Sequence, residues 1–422
     1  MSRQIGLFEA VGVELEYMIV DLETSDVKPI ADKLLEAEAG SPQTDVERGA
    51  AAWSNELVLH VLEMKTNGPA PALAGLGGLF QSEIRHANEK AAALGARLMP
   101  GGMHPWMDPS RETHLWPHEY NEVYQTFDRI FGCAGHGWAN LQSTHLNLPF
   151  SGDDEFRALH AAVRAVLPLV PALAAASPVH DGRSVGVLDG RVAAYKKNAR
   201  RVPSVAGMVI PEVAHTRDEY ESQILGRIYR DMQPHDPEGI LRHEWVNARG
   251  AIARFDRGTI EIRLVDAQES PKADLAVTAA IHGAVKRLTL DAPEGLESLE
   301  ALETERLAGL LDRTIRSGDE AEIDDPLYLR AVGSKRVTAT AGQLWQDLMD
   351  GAVAPEAGSQ EWAPHLEVIL RDGCLARRLL RALGGREGRA DLVRVWTELS
   401  ETMESNEPFG SGASHRASGH AT

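Results

Sequence analysis

Acidic side chains recur in short stretches that have the alternation of β-strands. In the segment Gly-Val-Glu-Leu-Glu the acids are Glu14 and Glu16, and side chains two residues apart share one face of a strand. Two like charges so close repel each other, and a bound cation would remove the repulsion. Glu56, Glu63 and Glu261 are the further candidates. This set predicts a row of oxygen ligands for Mg²⁺ ions that bridge the phosphates of a nucleotide.

The sequence supports the members of this row to different degrees. Glu-x-Glu on a strand is more often a solvated face than a metal site. Glu56 and Glu63 are seven residues apart, so both reach one site only through a bulge or a strand that begins after Glu56. Glu63 interrupts an apolar run, and a buried carboxylate needs a partner. His145 is a candidate nitrogen ligand, which Mn²⁺ would tolerate better than Mg²⁺.

A second cluster occupies residues 247–266. By alternation Glu261, Arg263 and Val265 share one face, with the intervening apolar residues in the core. A metal-ligating acid beside an arginine fork suits a phosphorylated carboxylate intermediate, because the guanidinium holds a carboxylate in two-point contact. The simpler alternative is an Arg-Glu ladder on an exposed strand. Residues 256–258 predict a hairpin turn, and Arg249 is a candidate for binding substrate or nucleotide.

Net charge restricts the partners. The chain of 422 residues has 43 basic and 62 acidic side chains, a net charge of -19. Such a surface repels nucleic acid and anionic lipid, so we expect neither partner and small-molecule substrates instead. An acidic protein that binds an anionic substrate must supply local arginines or metal ions.

Cysteine content and the amino terminus indicate a compartment. Cys133 and Cys374 are the two cysteines, and they predict core thiols in a reducing environment rather than a disulfide framework. The first residues carry acids where a signal peptide would be apolar, and no run of eighteen apolar residues occurs. We expect a soluble, cytoplasmic protein.

The elements that must position these residues follow from periodicity. Apolar residues recur at three- and four-residue steps in the helical segments, and partial alternation marks the strands. Strands are predicted over residues 10–21, 53–66, 98–104, 138–149 and 252–266. Helices are predicted over residues 73–94, 156–170, 272–290, 296–317, 364–383 and 388–403. This order predicts an α+β protein with a mostly antiparallel sheet that has helices on one face and chemistry on the other.

The composition predicts a division of the chain. Residues 1–267 form a sheet-based catalytic body, residues 268–404 a helical annex packed on it, and residues 405–422 a disordered tail of Gly, Ser, His and Ala. No Gly-x-x-x-x-Gly-Lys loop and no Gly-x-Gly-x-x-Gly after a strand is present in the sequence, so a nucleotide must be held by other means.

Taken in order, six segments make a resemblance recognisable. They are Gly12 to Glu16, Glu56 to Thr66, Gly101 to Trp106, Gln142 to Asn147, Ala176 to Arg183 and Glu261 to Asp266. This ordered set resembles the glutamate–cysteine ligase family, specifically its bacterial carboxylate–amine ligase branch, over about residues 8–290. The resemblance implies a six-stranded antiparallel sheet related to that of glutamine synthetase, with ATP and magnesium on its concave face.

The resemblance also implies a reaction and site residues. In that family ATP phosphorylates the γ-carboxylate of glutamate, and an amine then displaces phosphate to form an amide. Arg263 and Arg191 correspond to anion-binding arginines, and Asn147 and Gln142 to nucleotide or substrate contacts. With Glu261, both arginines are the implied catalytic residues. The implied metal ligands are Glu14, Glu16, Glu56, Glu63, His145 and Glu261.

The chain departs from the family pattern near the expected substrate pocket. It has Gly-Met-His-Pro-Trp where relatives commonly have Gly-Thr-His-Pro-Phe, so the identity of the amine acceptor, cysteine included, stays open. His104 in this segment is a candidate pocket wall or base, and the loop position favours the wall. His114, His118 and His136 lack zinc-type spacing and are interpreted as surface histidines or part of a lid.

Three function classes follow. The leading hypothesis is an ATP-dependent ligase that joins a glutamate-like γ-carboxylate to an amine. A small-molecule phosphotransferase on the same fold is the second, and a non-catalytic nucleotide- or metal-binding protein is the third. The presence of Glu14, Glu16, Glu63 and Glu261 together argues against the third class.

Overall fold

The computed structural model describes residues 5–350 and 359–410. Its strands are β1 Gly12–Asp21, β2 Asp45–Arg48, β3 Ala51–Asn55, β4 Val61–Thr66, β5 Ala96–Met99, β6 Ser143–Pro149, β7 Val179–His180, β8 Arg183–Ser184, β9 Ala251–Arg254, β10 Thr259–Asp266, β11 Glu322–Ile323 and β12 Ala339–Thr340.

The α-helices are α1 Ala31–Ala39, α2 Leu76–Ala93, α3 Pro109–Glu112, α4 Asn121–Phe131, α5 His136–Ala139, α6 Gly152–Val166, α7 Val170–Ala174, α8 Gly190–Tyr195, α9 Arg217–Tyr220, α10 Gly226–Met232, α11 Pro271–Leu290, α12 Leu296–Glu300, α13 Thr304–Ser317, α14 Pro326–Ala331, α15 Ala341–Met349, α16 Ala363–Asp372, α17 Leu375–Leu383 and α18 Arg389–Ser405. The helices α1 to α10 lie between strands in the chain, and α11 to α18 follow β10.

One sheet of eight strands organises the fold. Its order is β2-β3-β4-β1-β6-β10-β9, and β5 pairs with the second half of β1. Every pairing in it is antiparallel. The central strand β1 places Glu14 opposite His145 of β6, and Glu16 opposite Glu63 of β4. Residues distant in the chain therefore meet on neighbouring strands.

The two faces of the sheet have opposite chemistry. Val13, Leu15 and Tyr17 of β1 are fully buried in the main core, where α2, α6 and α11 pack. The alternate residues Glu14 and Glu16 point to the other face. Period-two alternation on the strand produces this separation directly.

The α+β class and the antiparallel sheet are confirmed, and the expectation of six strands is wrong. The segment predicted as one strand over 53–66 forms β3 and β4 with a connection between them, and 252–266 forms β9 and β10 around the predicted turn at 256–258. The short polar strand β2 escaped prediction because it has no apolar alternation. The predicted strand over 98–104 is shorter, since β5 ends at Met99.

Most predicted helices form with shifted ends. The segment 364–383 divides into α16 and α17 at Gly373, whose φ of 86° suits glycine and ends α16. The stretch Gly152–Ala174 is long and apolar enough to cross a membrane, but 89% of its most apolar window is buried inside the protein. This stretch, which contains α6 and α7, is therefore part of the protein core.

The boundary at residue 267 remains a prediction, because the core continues across it. Phe156 and Leu159 of α6 belong to the same apolar cluster as Leu275 and Ile281 of α11. The predicted tail begins too early: Phe409 is 1% exposed and its carbonyl accepts a hydrogen bond from Arg378 Nη1 at 2.9 Å. Residues 411–422 lie outside the described residues.

Candidate functional site

A cavity of about 1220 Å³ lies over the carboxylate face of the sheet. Its floor comes from β1, β4, β6 and β10, and its far wall from α4, α5, α8 and the segment around residue 245. The predicted residues that line it are Glu14, Glu16, Glu56, Glu63, His145, Asn147, Arg191, Glu261 and Arg263.

Two groups of ligand atoms adjoin on the floor. Glu14, Glu63 and His145 form one, and Glu16, Glu56 and Glu63 form the other; within each group the atoms lie within 4.8 Å of one another. Because Glu63 belongs to both, two cation positions would be neighbours. Carboxylate oxygens suit Mg²⁺, and the one imidazole widens the choice to Mn²⁺. Metal ions would therefore be held by residues from β1, β4, β6 and the β3–β4 connection.

Glu56 reaches this site from a connection rather than from a strand. β3 ends at Asn55 and β4 begins at Val61, so Glu56 lies outside both strands. The alternation that fixes the face of Glu63 therefore does not fix the direction of Glu56. This is the second of the two arrangements that the seven-residue spacing allowed. The connection then carries Val58 and His60 into buried positions, which anchors it beneath the cavity.

The electrostatics of the floor favour an added cation. Burial and the charges of Glu16 and Glu63 raise the pKa of Glu56 well above its usual value. Burial and the charge of Glu14 likewise raise the pKa of Glu63. For Glu14 burial acts in the same direction, yet the hydrogen bond and charge of His145 outweigh it and lower its pKa to about 2. Carboxylates this close share either protons or cations.

His145 is held between the acids. Its Nδ1 lies 2.9 Å from Glu14 Oε2, and its Nε2 lies 3.6 Å from Glu16 Oε1. Burial lowers the pKa of His145, but the hydrogen bond with Glu14 and the charges of Glu16, Glu14 and Glu261 raise it to about 9. Metal binding at this ring would release a proton, so occupation of the site is expected to depend on pH.

Arginines meet the floor at Glu261. Arg263 Nε donates to Glu261 Oε1 at 3.0 Å, and Arg254 Nη1 donates to Glu261 Oε2 at 3.2 Å. The Nζ atom of Lys65 lies 3.1 Å from Glu63 Oε1 and 2.8 Å from Asp45 Oδ2. Sequence reasoning missed Arg254 and Lys65 as cavity residues. For Lys65 a signal existed, because it stands two residues after Glu63 and so shares its face.

Arg191 reaches the cavity from α8. Its Nε donates to Asp266 Oδ1, while Asp266 Oδ2 accepts from Ser177 Oγ at 2.6 Å and from the Ala176 amide at 2.8 Å. These bonds hold a guanidinium that is 3% exposed at the edge of the cavity near Arg263. Both arginines line the cavity, so they remain candidates for binding an anionic group.

Three predicted binding residues lie outside the cavity, and those predictions are wrong. His104 Nε2 bonds the Ser25 carbonyl at 2.9 Å, and its Nδ1 accepts from the Met107 amide at 3.1 Å. Gln142 Oε1 accepts from the Met18 amide at 2.7 Å. Arg249 makes a two-point ion pair with Glu212 at 2.6 and 2.7 Å. Each side chain is at most 1% exposed and serves local structure.

Other predicted positions have mixed outcomes. Asn147 lines the cavity and its Nδ2 donates to Glu14 Oε1 at 3.0 Å. Val265 is buried in the core, because a β-bulge between Ile262 and Val265 shifts the alternation. His118 pairs with Asp32 and His136 with Asp181, so these histidines do not gather. Cys133 and Cys374 are free and buried, as expected.

An aromatic wall faces the acidic floor and was not foreseen. Phe127 packs against Trp138 and Trp245 with ring centroids 5.4 and 5.8 Å away, and Tyr124 stands one helical turn before Phe127. All four line the cavity. They lie on α4, on α5 and in the segment around residue 245, which come together only in the folded chain, so their spacing in sequence carried no signal.

Comparison with known proteins assigns this chain to a family. The model of glutamate–cysteine ligase family 2 matches residues 10–398. An uncharacterised protein of Archaeoglobus fulgidus is 31% identical over 404 residues, which cover 94% of this chain and 100% of that protein. A provisionally named glutamate–cysteine ligase 2 of Corynebacterium glutamicum is 27% identical, with 91% and 94% covered.

A solved structure shares the fold. The crystal structure of glutamate–cysteine ligase from Francisella tularensis in complex with AMP aligns with a TM-score of 0.62 at 10% identity, covering 96% of this chain and 90% of that chain. The fold and the family match together define a ligase, an ATP-dependent enzyme of the carboxylate–amine class. Within that class the chain belongs to glutamate–cysteine ligase family 2.

Proposed function

We propose that this protein joins the γ-carboxylate of glutamate, or of a close analogue, to an amine at the expense of ATP, through an acyl phosphate. The observation that carries the proposal is the convergence of two adjoining carboxylate groups with a pair of arginines at one cavity. Phosphoryl transfer needs metal-bridged phosphates, and an acid substrate needs a fixed anion site. The AMP bound to the Francisella relative supports a nucleotide in this fold.

The reaction has two balanced steps. A γ-carboxylate oxygen attacks the terminal phosphorus of ATP, and ADP leaves. The amine nitrogen then attacks the acyl carbon, and the bond between that carbon and the bridging oxygen breaks. Inorganic phosphate leaves with the oxygen and the bonding electron pair, and the nitrogen loses a proton. Divalent cations held by Glu14, Glu16, Glu56, Glu63 and His145 would supply charge neutralisation of the phosphates during the first step.

The chain's own residues perform the positioning. Arg191, held by Asp266, and Arg263, held by Glu261, present guanidinium groups for two-point contact with carboxylate or phosphate oxygens. Asn147 steadies Glu14, and the aromatic wall excludes water from the space above the floor. Exclusion of water protects an acyl phosphate from hydrolysis.

Product analysis tests the proposal. The purified protein is incubated with ATP, Mg²⁺, glutamate and a panel of amines headed by cysteine, and ADP, phosphate and condensed products are measured by chromatography and mass spectrometry. We expect equimolar ADP, phosphate and one γ-glutamyl amide. ADP with a stable phosphorylated acceptor and no amide would indicate a phosphotransferase. Tight ATP binding without turnover of any pair would indicate a non-catalytic protein.

A further inference from the structure

A second cavity of about 480 Å³ lies beside the first. Gly137 and Trp138 line both cavities, so a single short wall separates them. The ionisable residues that line the second cavity, among the described residues, are His136, His180, Lys197 and Arg200. All are basic types, which is unexpected in a protein with a net charge of -19.

Two of these residues carry uncompensated charge. The segment from Lys196 to Arg201 contains four basic residues. Lys196 pairs with Asp312, and Arg201 donates to the carbonyls of Arg129 and Ile130. Within the part of the chain that the structure describes, Lys197 and Arg200 have neither an ion pair nor a side-chain hydrogen bond, and both are exposed. Their charge is available to a ligand.

The histidines do not make this cavity a metal site, although with Asp181 they have a suitable donor set. The backbone of His104 orients the side-chain amide of Asn140. The backbone N–H of His104 donates to Asn140 Oδ1 at 2.7 Å, and its carbonyl accepts from Asn140 Nδ2 at 3.0 Å. Asn140 Nδ2 then donates to His136 Nδ1 at 3.1 Å. A neutral His136 therefore carries its hydrogen on Nε2, directed at Asp181 Oδ1 2.9 Å away. That nitrogen has no free lone pair for a metal.

Apart from Asn198 and backbone groups, the remaining lining of the second cavity is nonpolar. Phe131 and Trp138 lie with ring centroids 5.6 Å apart, and Val185 and Val187 also line the cavity. Asn198 donates to the Gly137 carbonyl, which ties the end of α8 to α5. Two exposed cations above a nonpolar and aromatic surface are the complement of an organic anion.

We propose that this second cavity binds a small organic anion, whose phosphate or carboxylate group is held by Lys197 and Arg200 and whose nonpolar body rests on Trp138 and the two valines. The site is separate from the proposed catalytic cavity and does not depend on the ligase assignment. Its volume lies within the range of ordinary small-molecule sites.

Helix α8 joins the two cavities. It carries Arg191 and Tyr195 into the main cavity, and Lys197, which lines the second cavity, follows two residues after its end.

Calorimetry with defined probes tests the proposal. Phenyl phosphate and benzoate are titrated separately, with EDTA and at low ionic strength, into the wild-type protein, the variant Lys197→Ala/Arg200→Ala and the control Lys33→Ala/Arg85→Ala. The control removes the same charge from exposed residues outside both cavities. We expect one probe or both to bind to the wild type and the control, and about tenfold or more weaker binding to the first variant.

The outcomes decide the proposal. Preference for phenyl phosphate or for benzoate identifies the anionic group, and weak binding of benzyl alcohol confirms that charge is required. Equal affinity in all three proteins would place the binding elsewhere, including the main cavity, and would overturn the proposal. The proposal would also be overturned if neither probe bound the wild type at concentrations up to about 10 mM. A Kd of about 10 mM corresponds to a binding free energy of only about 3 kcal/mol.

Discussion

The two faces of strand β4 differ in what they need from outside the chain. Leu62 and Met64 are fully buried and pack in the main core. Glu63, between them, is 7% exposed on the other face, beside Glu16, Glu56 and Glu14. The core face is stabilised by burial alone. The carboxylate face places like charges together, and Lys65 and His145 offset only part of that repulsion, so protons or a bound cation stabilise it further.

This contrast separates stability from function along one strand. A change on the core face should reduce the free energy of unfolding, and a change on the carboxylate face should reduce activity. Neighbouring residues therefore supply matched experiments. The following predictions run from the largest expected effect to the smallest.

Glu63→Gln removes the carboxylate that both ligand groups share. We expect ADP release to fall by about 10³-fold, or about 4 kcal/mol of transition-state stabilisation, with an unchanged or slightly higher melting temperature because like-charge repulsion is relieved. Steady-state kinetics and calorimetric unfolding measure the two effects. Glu47→Gln, an exposed change of equal charge on β2, is the control. Wild-type turnover in Glu63→Gln would remove Glu63 from the site.

Leu62→Ala tests the opposite face at the adjacent position. It deletes a fully buried side chain, and we expect a loss of about 3 kcal/mol in the free energy of unfolding. Urea denaturation followed by far-ultraviolet circular dichroism measures this loss. Activity per folded molecule should stay within about threefold of wild type, since no ligand is removed. A loss below about 0.5 kcal/mol would show that this position is not part of the packed core.

Divalent cations should stabilise the carboxylate face. At a concentration of Mg²⁺ or Mn²⁺ that is about 100 times Kd, we expect about 2.7 kcal/mol of added stability, measured as a rise in melting temperature over an EDTA-treated sample. Glu63→Gln should lose most of this rise, and Leu62→Ala should keep it. An equal rise in all three proteins would indicate that the cation binds elsewhere.

A buried histidine should set part of the acid sensitivity of the core. Burial, together with the charges of Arg164 and His215, lowers the pKa of His160 to about 3. Because the folded state resists protonation, stability from this residue is present above about pH 6.5 and is lost as pH falls toward 3. In His160→Phe the slope of unfolding free energy against pH, measured between about pH 5.5 and 4, should fall by about 1.4 kcal/mol per pH unit, the value for one proton.

Urea titrations at several pH values measure that slope. His114→Gln, which replaces a histidine at an exposed position, is the control variant. His160 stacks on Phe156, and the phenyl ring of the variant retains that contact. The variant loses the hydrogen bond of His160 to the Ala214 backbone, which is why the slope against pH is compared and not the stability at one pH. An unchanged slope in His160→Phe would show that His160 protonates freely in the folded protein.

Part of the site could be predicted because its signals are local. Glu14 and Glu16 alternate with apolar residues, and Glu63 interrupts a buried run, so the face of each side chain followed from strand geometry. Two-residue spacing linked Arg263 to Glu261 in the same way. Lys65 had this signal as well, although it was overlooked.

Other parts could not be predicted from local pattern. Gln142 and His104 stand in motif segments beside site residues, yet both turn away to bond backbone groups. In the sequence Arg249 resembles an anion-binding arginine, but in the structure it is paired with Glu212, which lies 37 residues earlier. The bulge after Ile262 moves Val265 into the core. Each outcome depends on a partner that is remote in sequence or on a change of register.

Along β1 and β4, alternation was sufficient to decide which residues are apolar core and which are candidate ligands, because a strand side chain has only two faces available. The pairing of β1 with β4 and β6 decided that Glu14, Glu63 and His145 meet, and the β3–β4 connection brought Glu56 to them. These contacts join residues that are distant in sequence. They form because the whole sheet packs in one register, which no short segment determines. The second cavity likewise exists only where α5 and α8 come together.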